Sequence, residues 1–460
     1  MKTIELVKPL AAIVGESHVL DQSKLQLRNP GQCEQSQTAA LLVRPANSEE
    51  LSEVIKIAAA NNVQTVPQGG LTGLVQATST EADNLIISFE RMNKITRVDP
   101  LQGVLVAGTG VTLADAHAAA AEVGMTLGVD IPSRGSCTLG GIISTNAGGI
   151  RVIRYGMTRE NLLGLTAVLA DGTIIDAGNT LMKNNAGYDL KHLFIGSEGT
   201  LGMVTSAVFK LFPLPVREHT ALIATDSVES LLELLKRCRQ EVGSSLLSFE
   251  GLWKDFYWGK TKAAGIRAPI EDPYPIYGIV EAGVWRSGDN VNPLEQTLSA
   301  ALEDGLIADA VLASSESERR EIWDIREDGE PLSKYGKHIQ SFDVGFELGD
   351  IDSFVTDLYS EMSKKWPDKP VFVFGHVGDG NLHVCLANND EEHERRHEFE
   401  DVLYQVTARF ANSTVSAEHG IGLEKKPYLQ HSRSAEQLAL MAKVRNAIDP
   451  ESMFNPGKIF

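Results

Sequence analysis

Two short segments near the end of the chain concentrate residues able to do metal or acid–base chemistry. FGHVGDGNLHV (374–384) carries His376 and His383, and SAEHGIGLEKK (416–426) carries Glu418 and His419. Imidazole nitrogens and a carboxylate oxygen are the usual ligands of a borderline divalent ion such as Zn²⁺. His376, His383 and Glu418 would supply three ligands and leave one coordination position for a substrate. His419, directly after the glutamate, could then act as a base beside the ion, or could merely orient Glu418. The plainer alternative is a set of polar turn residues, because H-x6-H is not a standard ligand spacing.

A scaffold must hold these residues, and 460 residues suffice for two or three domains. The 43% hydrophobic and 22% charged content is that of a soluble globular protein. A net charge of −19 argues against nucleic acid or an anionic membrane surface as the main partner. Cys33, Cys137, Cys238 and Cys385 are scattered and form no CxxC pair, so the expectation is a reduced, cytoplasmic protein without structural disulfides. The apolar patch near the N-terminus is too short to span a bilayer. Any membrane contact would be peripheral, through an electron acceptor.

Asn47 and Glu50 approximate a capping box, with Leu51, Val54, Ile55 and Ala58 on one face of the following helix. Strands are expected at 63–66, 85–89 and 103–107, and a hairpin at 165–178 with Asp171-Gly172 as a two-residue type I′ turn. Residues 128–202 are so glycine-dense that they read as loops. Pro213 and Pro215 mark a boundary, after which helices (228–241, 293–304, 351–364) alternate with strands (246–250, 275–283, 371–375). That pattern predicts an α+β fold. EEHERRHEFE (391–400) reads as a solvated helix face whose two histidines are not ligands.

Three glycine-rich loops share a chemistry. They are PQGGLTGL (67–74), PSRGSCTLGGIISTNAGGIRVIRYG (132–156) and GSEGTLG (196–202). Glycine lets backbone N–H groups approach an anion closely. Loops of this kind spread over a hundred residues suggest an extended ligand with a pyrophosphate in its middle; turn glycines of a loop-rich protein are the alternative. GTGVTL (108–113) starts like a dinucleotide fingerprint but has Leu113 where the third glycine belongs, so a nicotinamide site is not expected.

PQGGLTGL, then PSRGSCTLGG with TNAGG, then NNAGYDLKHLFIGSEGTLGMVT resembles the FAD-binding domain of the vanillyl-alcohol oxidase/p-cresol methylhydroxylase superfamily. GHVGDGNLH, SAEHGIG and FNPGK narrow the resemblance to FAD-linked D-2-hydroxyacid dehydrogenases, a branch with D-lactate and D-2-hydroxyglutarate dehydrogenases and the glycolate oxidase flavoprotein subunit. It implies an N-terminal segment (1–37), a two-lobed FAD domain (38–214), a substrate or cap domain (215–415), and a C-terminal segment (416–460) that returns to the flavin. Pro67, Gln68, Gly69, Gly70, Leu71, Thr72, Gly73 and Leu74 would hold the pyrophosphate and adenosine with Pro132, Gly135, Ser136, Thr138, Gly140 and Gly141. Asn146, Gly148 and Gly149 would lie along the flavin and ribityl chain. Glu198, Gly202 and Val204 would close the adenine end, and Asn455 would approach the isoalloxazine. Leu71 stands where covalent members carry histidine, so FAD should be dissociable.

The resemblance also implies that Arg326, in WDIRE, pairs with the substrate carboxylate; a surface arginine paired with Glu327 or Glu330 is the alternative. Glu330, Ser341 and Cys385 depart from the Thr, Lys and Asn of D-2-hydroxyglutarate dehydrogenases. This favours D-lactate or another monocarboxylate unless Lys334 or Lys337 supplies a cation. The expected activity is oxidation of a D-2-hydroxy acid to the 2-oxo acid with FAD and Zn²⁺ or a similar ion. Electrons would pass to an electron-transfer flavoprotein, quinone or cytochrome. A flavin oxidase and a non-catalytic subunit of a glycolate-oxidase-like complex are the competing readings, and a homodimer is left open.

Overall fold

Asn47 accepts a hydrogen bond from the Glu50 N–H at 2.8 Å and starts the helix Ser48–Ala60, which buries Leu51, Val54, Ile55 and Ala58. Glu50 reaches back to the Ala46 N–H, one residue before the cap, at 2.8 Å. The computed structural model describes residues 2–286, 288 and 292–460. It divides into two units: Met1–Gly149 with Tyr155–Leu214 and Glu418–Phe460, and Ile150–Arg154 with Pro215–Ala417.

The first unit holds two sheets. In one, Leu41–Val43 and Thr65–Gln68 flank Leu85–Ser88 in parallel, and Val19–Asp21 adds an antiparallel edge. The chain end joins the other edge: the Thr65 N–H donates to Met453 O, and the Asn455 N–H donates to Thr65 O, both at 2.8 Å. The second sheet is antiparallel, with Met203–Pro213 between Val104–Gly108 and Leu162–Val168. Its core buries Leu105, Leu165, Ala207 and Phe209 against the helices Leu113–Ala121 and Leu139–Thr145.

Two local expectations need correction here. Val168 pairs with Ile174, and Leu169 and Thr173 close the hairpin, so three residues form the loop. Gly172 has φ +84°, while Asp171 does not have the positive φ that a type I′ turn requires at both positions. The glycine-dense stretch is also not all loop. Thr138 caps the helix Leu139–Thr145, whose Leu139, Ile142 and Ile143 are buried. Gly140 is there because a Cβ would lie 2.9 Å from the Thr109 side chain.

The second unit is one seven-stranded antiparallel sheet, ordered Asp309–Leu312, Arg217–Thr225, Ile276–Val284, Leu246–Trp253, Phe372–His376, Asn381–Asn388, His338–Gly345. Cross-strand partners share a face. Register therefore puts Leu252, Phe374, His383 and Asp343 on one side, with Phe372, Cys385 and Ser341 beside them. The helices Lys254–Ala264 and Glu316–Glu327 cover that face through Phe256, Tyr257, Ile322 and Trp323. The charged segment 391–400 is broken into two helices, Asp390–Glu394 and His397–Thr407. His393 stacks on His338, and His397 bonds Glu400 at 2.8 Å.

Candidate functional site

The covered face of the seven-stranded sheet carries charge where an apolar core would be expected. His376 ends the strand Phe372–His376, His383 lies in Asn381–Asn388, and both are buried. Their Nε2 atoms are 3.4 Å apart. Two imidazole nitrogens on one tetrahedral Zn²⁺, each at about 2.0–2.1 Å, would stand about 3.3–3.4 Å apart.

Glu250, which neither motif nor periodicity singled out, organises this face. Its Oε1 takes the Nδ1–H of His376 at 2.7 Å, and its Oε2 takes the Nε–H of Arg326 at 2.8 Å. Burial alone would push this carboxyl up; the neighbouring His376 and Arg326 outweigh it and hold it down to about 2. An ionised Glu250 can only accept, so His376 Nδ1 carries the proton in this contact. A carboxylate behind a histidine is the usual way a metal ligand is oriented. Without an ion, a proton on His383 Nε2 would bridge the same two nitrogens, so metal content is the discriminating measurement.

Arg326, in the last turn of Glu316–Glu327, is buried rather than on the surface, and its partner is Glu250 rather than Glu327 or Glu330. The guanidinium lies 4.5 Å from the centroid of the Phe374 ring. Among the described residues, no hydrogen bond or ion pair engages its two terminal nitrogens. A planar fork with both tips available suits a carboxylate.

The residues that depart from the resemblance are also placed. The Cys385 thiol donates to Ser341 Oγ at 3.3 Å. Glu330 is exposed on the 3₁₀ segment Glu330–Tyr335. Lys334 is exposed and donates to Ala263 O, and Lys337 is exposed and pairs with Asp390 at 2.8 Å. A second buried carboxylate, Glu281, is held by Arg151 at 2.6 Å, Arg319 at 3.0 Å and the Trp323 indole at 2.8 Å. Lone acidic residues inside the apolar strands LLSFEGLW and IYGIVEAGV were the available signal for Glu250 and Glu281.

Asp343, opposite His383 in the register, accepts the Ala417 N–H at 2.7 Å and the Ser416 hydroxyl at 3.1 Å. The next peptide leads to Glu418 and His419, which belong to the first unit. There Glu418 accepts the Gly149 N–H, and Gly149, at φ +92°, has no room for a Cβ, which would lie 1.9 Å from Asp130 O. His419 is half-buried.

Apart from Ile150–Arg154, the glycine loops belong to the first unit, where they pack on one another. A Cβ at Gly69 would meet Thr138 Oγ1 at 2.4 Å, and one at Gly70 would meet Ser136 O at 1.9 Å. Gly73 and Gly135 are exposed, and a Cβ at either would meet nothing within 4 Å. Leu71, Asn146 and Glu198 all adopt left-handed backbone, with φ of 56°, 54° and 51°. Gln68 donates to Ser36 O at 2.7 Å, and Val204 O accepts the Thr109 hydroxyl at 2.7 Å. Glu198 receives the amides of Ile421 at 2.6 Å and Gly422 at 2.8 Å and so pins the EHGIG loop; burial pushes its carboxyl up. Asn455 donates to Glu198 O at 2.7 Å and Ala77 O at 3.1 Å, while its Oδ1 is buried without a partner among the described residues. Such an orphaned acceptor fits a cofactor that brings a donor. The glycines of GTGVTL serve chain packing: Gly108 and Gly110 lie against Met92 O and Phe89 O.

Among the described residues, no helix is long and apolar enough to cross a membrane. The profile of the FAD-linked oxidase C-terminal domain matches residues 214–459, and that of an FAD-binding domain matches residues 39–178. A D-2-hydroxyglutarate dehydrogenase of Xanthomonas citri pv. viticola is 36% identical over 425 residues, 90% of this chain and 88% of that protein. A mitochondrial Schizosaccharomyces pombe protein, provisionally named a D-lactate dehydrogenase, is 35% identical over 431 residues, 91% of this chain and 81% of that one. Among solved structures, p-cresol methylhydroxylase with substrate bound superposes with a TM-score of 0.79 at 14% identity, covering 100% of this chain and 96% of that one. The fold is thus that of the p-cresol methylhydroxylase type of flavoprotein.

Proposed function

Given that this chain belongs to the FAD-linked oxidase family, we propose that it oxidises a D-2-hydroxy acid to the 2-oxo acid. The observation that carries this reading is the buried row Arg326–Glu250–His376, with His383 beside it. A carboxylate-binding fork and a pair of imidazole donors are joined there by one shared carboxylate. Those are the groups an α-hydroxycarboxylate needs.

In this reading the terminal nitrogens of Arg326 take the substrate carboxylate. Each such charge-assisted bond contributes about 1.5–3 kcal/mol. Glu250 holds Arg326 and His376 so that neither has to reorganise when substrate enters. His376, His383 and Glu418 would hold a divalent ion, Zn²⁺ by the chemistry of the donor set. When bound, such an ion would supply Lewis acidity there. His419 takes the hydroxyl proton. FAD, when bound, supplies the hydride acceptor.

Pro67–Leu74, Pro132–Gly141, Asn146, Gly148, Gly149 and Asn455 are the proposed FAD contacts, with Glu198, Gly202 and Val204 at the adenine end. The orphaned Asn455 Oδ1 supports that assignment. Residues 38–214 then form the FAD domain and 215–415 the substrate domain. Electrons leave to a separate carrier, and four free, buried cysteine thiols support a reducing compartment such as the cytoplasm. Purified protein assayed with a dye acceptor and a panel of D- and L-2-hydroxy acids tests the proposal. Turnover confined to D-acids supports it, and no turnover with any 2-hydroxy acid refutes it.

A further inference from the structure

Resting on that reading, we propose that Lys260 is a specificity residue that receives a second carboxylate of the substrate, so that the site favours 2-hydroxy dicarboxylates over monocarboxylates. Lys260 is only 2% exposed, on the helix Lys254–Ala264 that covers the His–Arg face. Gly259 brings the helix tight against the strand Phe372–His376, because a Cβ there would lie 2.7 Å from the Phe372 ring. Phe256, one helical turn before Lys260, stacks on Phe374 at 4.1 Å, the same ring that carries the Arg326 guanidinium at 4.5 Å. The Lys260 ammonium lies 5.8 Å from the centroid of the Phe256 ring. Two cations thus flank one stacked phenyl pair. Both also act on the Cys385 thiol, which lies two residues along the strand from His383 on the same face.

The two cations are not equivalent. Arg326 has Glu250 as its counter-ion, whereas Lys260 makes no hydrogen bond or ion pair among the described residues. Asp324 and Asp328 act on it only from beyond ion-pairing distance, and Arg326 repels it. Sequestering an ammonium without a counter-ion is unfavourable, and the partial offset from a phenyl face at that range is weak. A ligand anion supplies what the protein leaves out. With Arg326 taking the α-carboxylate, the second anion is the distal carboxylate of a 2-hydroxy diacid.

The test compares kcat/KM for D-2-hydroxyglutarate and D-malate with that for D-lactate and D-2-hydroxybutyrate, using flavin-loaded wild type, Lys260→Met and Lys260→Arg. Wild type should prefer a diacid. Lys260→Met should lose about 10- to 200-fold in kcat/KM for the diacids, mainly through KM, with the monocarboxylates changed less than about 2-fold. Lys260→Arg should recover part of the loss. An equal loss for both classes, the mark of a structural lysine, overturns the proposal, as does an unchanged diacid rate. If Lys260→Met does not fold, inhibition of wild type decides: 2-oxoglutarate must inhibit at least about tenfold more tightly than pyruvate, and equal inhibition overturns the proposal. Turnover of monocarboxylates alone sinks this inference and leaves the broader function standing. Turnover of neither class sinks both.

Discussion

His376 and His383 bring their Nε2 atoms to 3.4 Å from each other on adjacent antiparallel strands. That separation is the one a single tetrahedral ion imposes on two imidazole ligands. The same pair without an ion would need a shared proton, so the two possibilities differ in what must be removed to destroy function.

Dialysis against a chelator should therefore abolish turnover while the visible flavin band persists, and Zn²⁺ should restore the activity. His383→Ala should behave like the dialysed protein and should no longer respond to added metal. Elemental analysis of the protein before and after dialysis checks the assignment. Full turnover in metal-free protein would contradict it.

Glu250→Gln removes the charge that joins His376 to Arg326 with little change of shape. Metal affinity should fall about 10- to 100-fold, because an imidazole ligand loses its orienting carboxylate. Arg326 would be left buried and uncompensated, at about 3–5 kcal/mol of stability. Metal titration and denaturant unfolding read the two effects separately. A variant with wild-type midpoint and metal affinity would show that Glu250 does neither job.

His419→Gln should lower kcat by about 10²- to 10⁴-fold, the range of a positioned general base, without changing flavin affinity. Steady-state kinetics and flavin titration measure the two. If His419 only orients Glu418, metal affinity falls together with kcat, and that correlated loss would reassign its role.

Burial pulls the Lys260 ammonium down to about 8 in the folded protein; Arg326 acts in the same direction, and Asp328, Cys385 and Asp324 only partly oppose it. The unfolded chain keeps that proton up to its ordinary value of 10.5. Between those values the unfolded state binds more protons, so this residue makes stability rise with pH across that window. Diacid binding should change in the opposite sense: its KM should climb as pH passes through about 8 and the cation is lost. A pH series of KM for a diacid and a monocarboxylate, compared with the same series for Lys260→Met, isolates the effect.

The helix at Ser48–Ala60, its Asn47 cap and the helix Val228–Glu241 were legible because amphipathic period and capping chemistry are local. The hairpin was legible as a hairpin, but its loop length depends on whether Leu169 and Thr173 pair, which the two letters Asp171-Gly172 do not encode. The helix Leu139–Thr145 was hidden by Gly140 and Gly141. A tertiary contact, the approach to Thr109, asks for glycine at Gly140 against helix propensity. In the site, His376, His383 and Arg326 were readable as chemistry-bearing types. Glu250 and Lys260 were not, since a single glutamate in a strand and a lysine in KDFYWGKTKAA look like solvated positions until the sheet register and the covering helix bury them.

Anaerobic mixing of the flavin-loaded protein with single enantiomers of 2-hydroxy acids, followed by the flavin absorbance, tests the central claim most directly. D-2-hydroxy acids should bleach the visible band in one phase and yield one equivalent of 2-oxo acid per flavin. L-enantiomers should leave the band unchanged. A band that no 2-hydroxy acid bleaches, or that only L-acids bleach, would contradict the account.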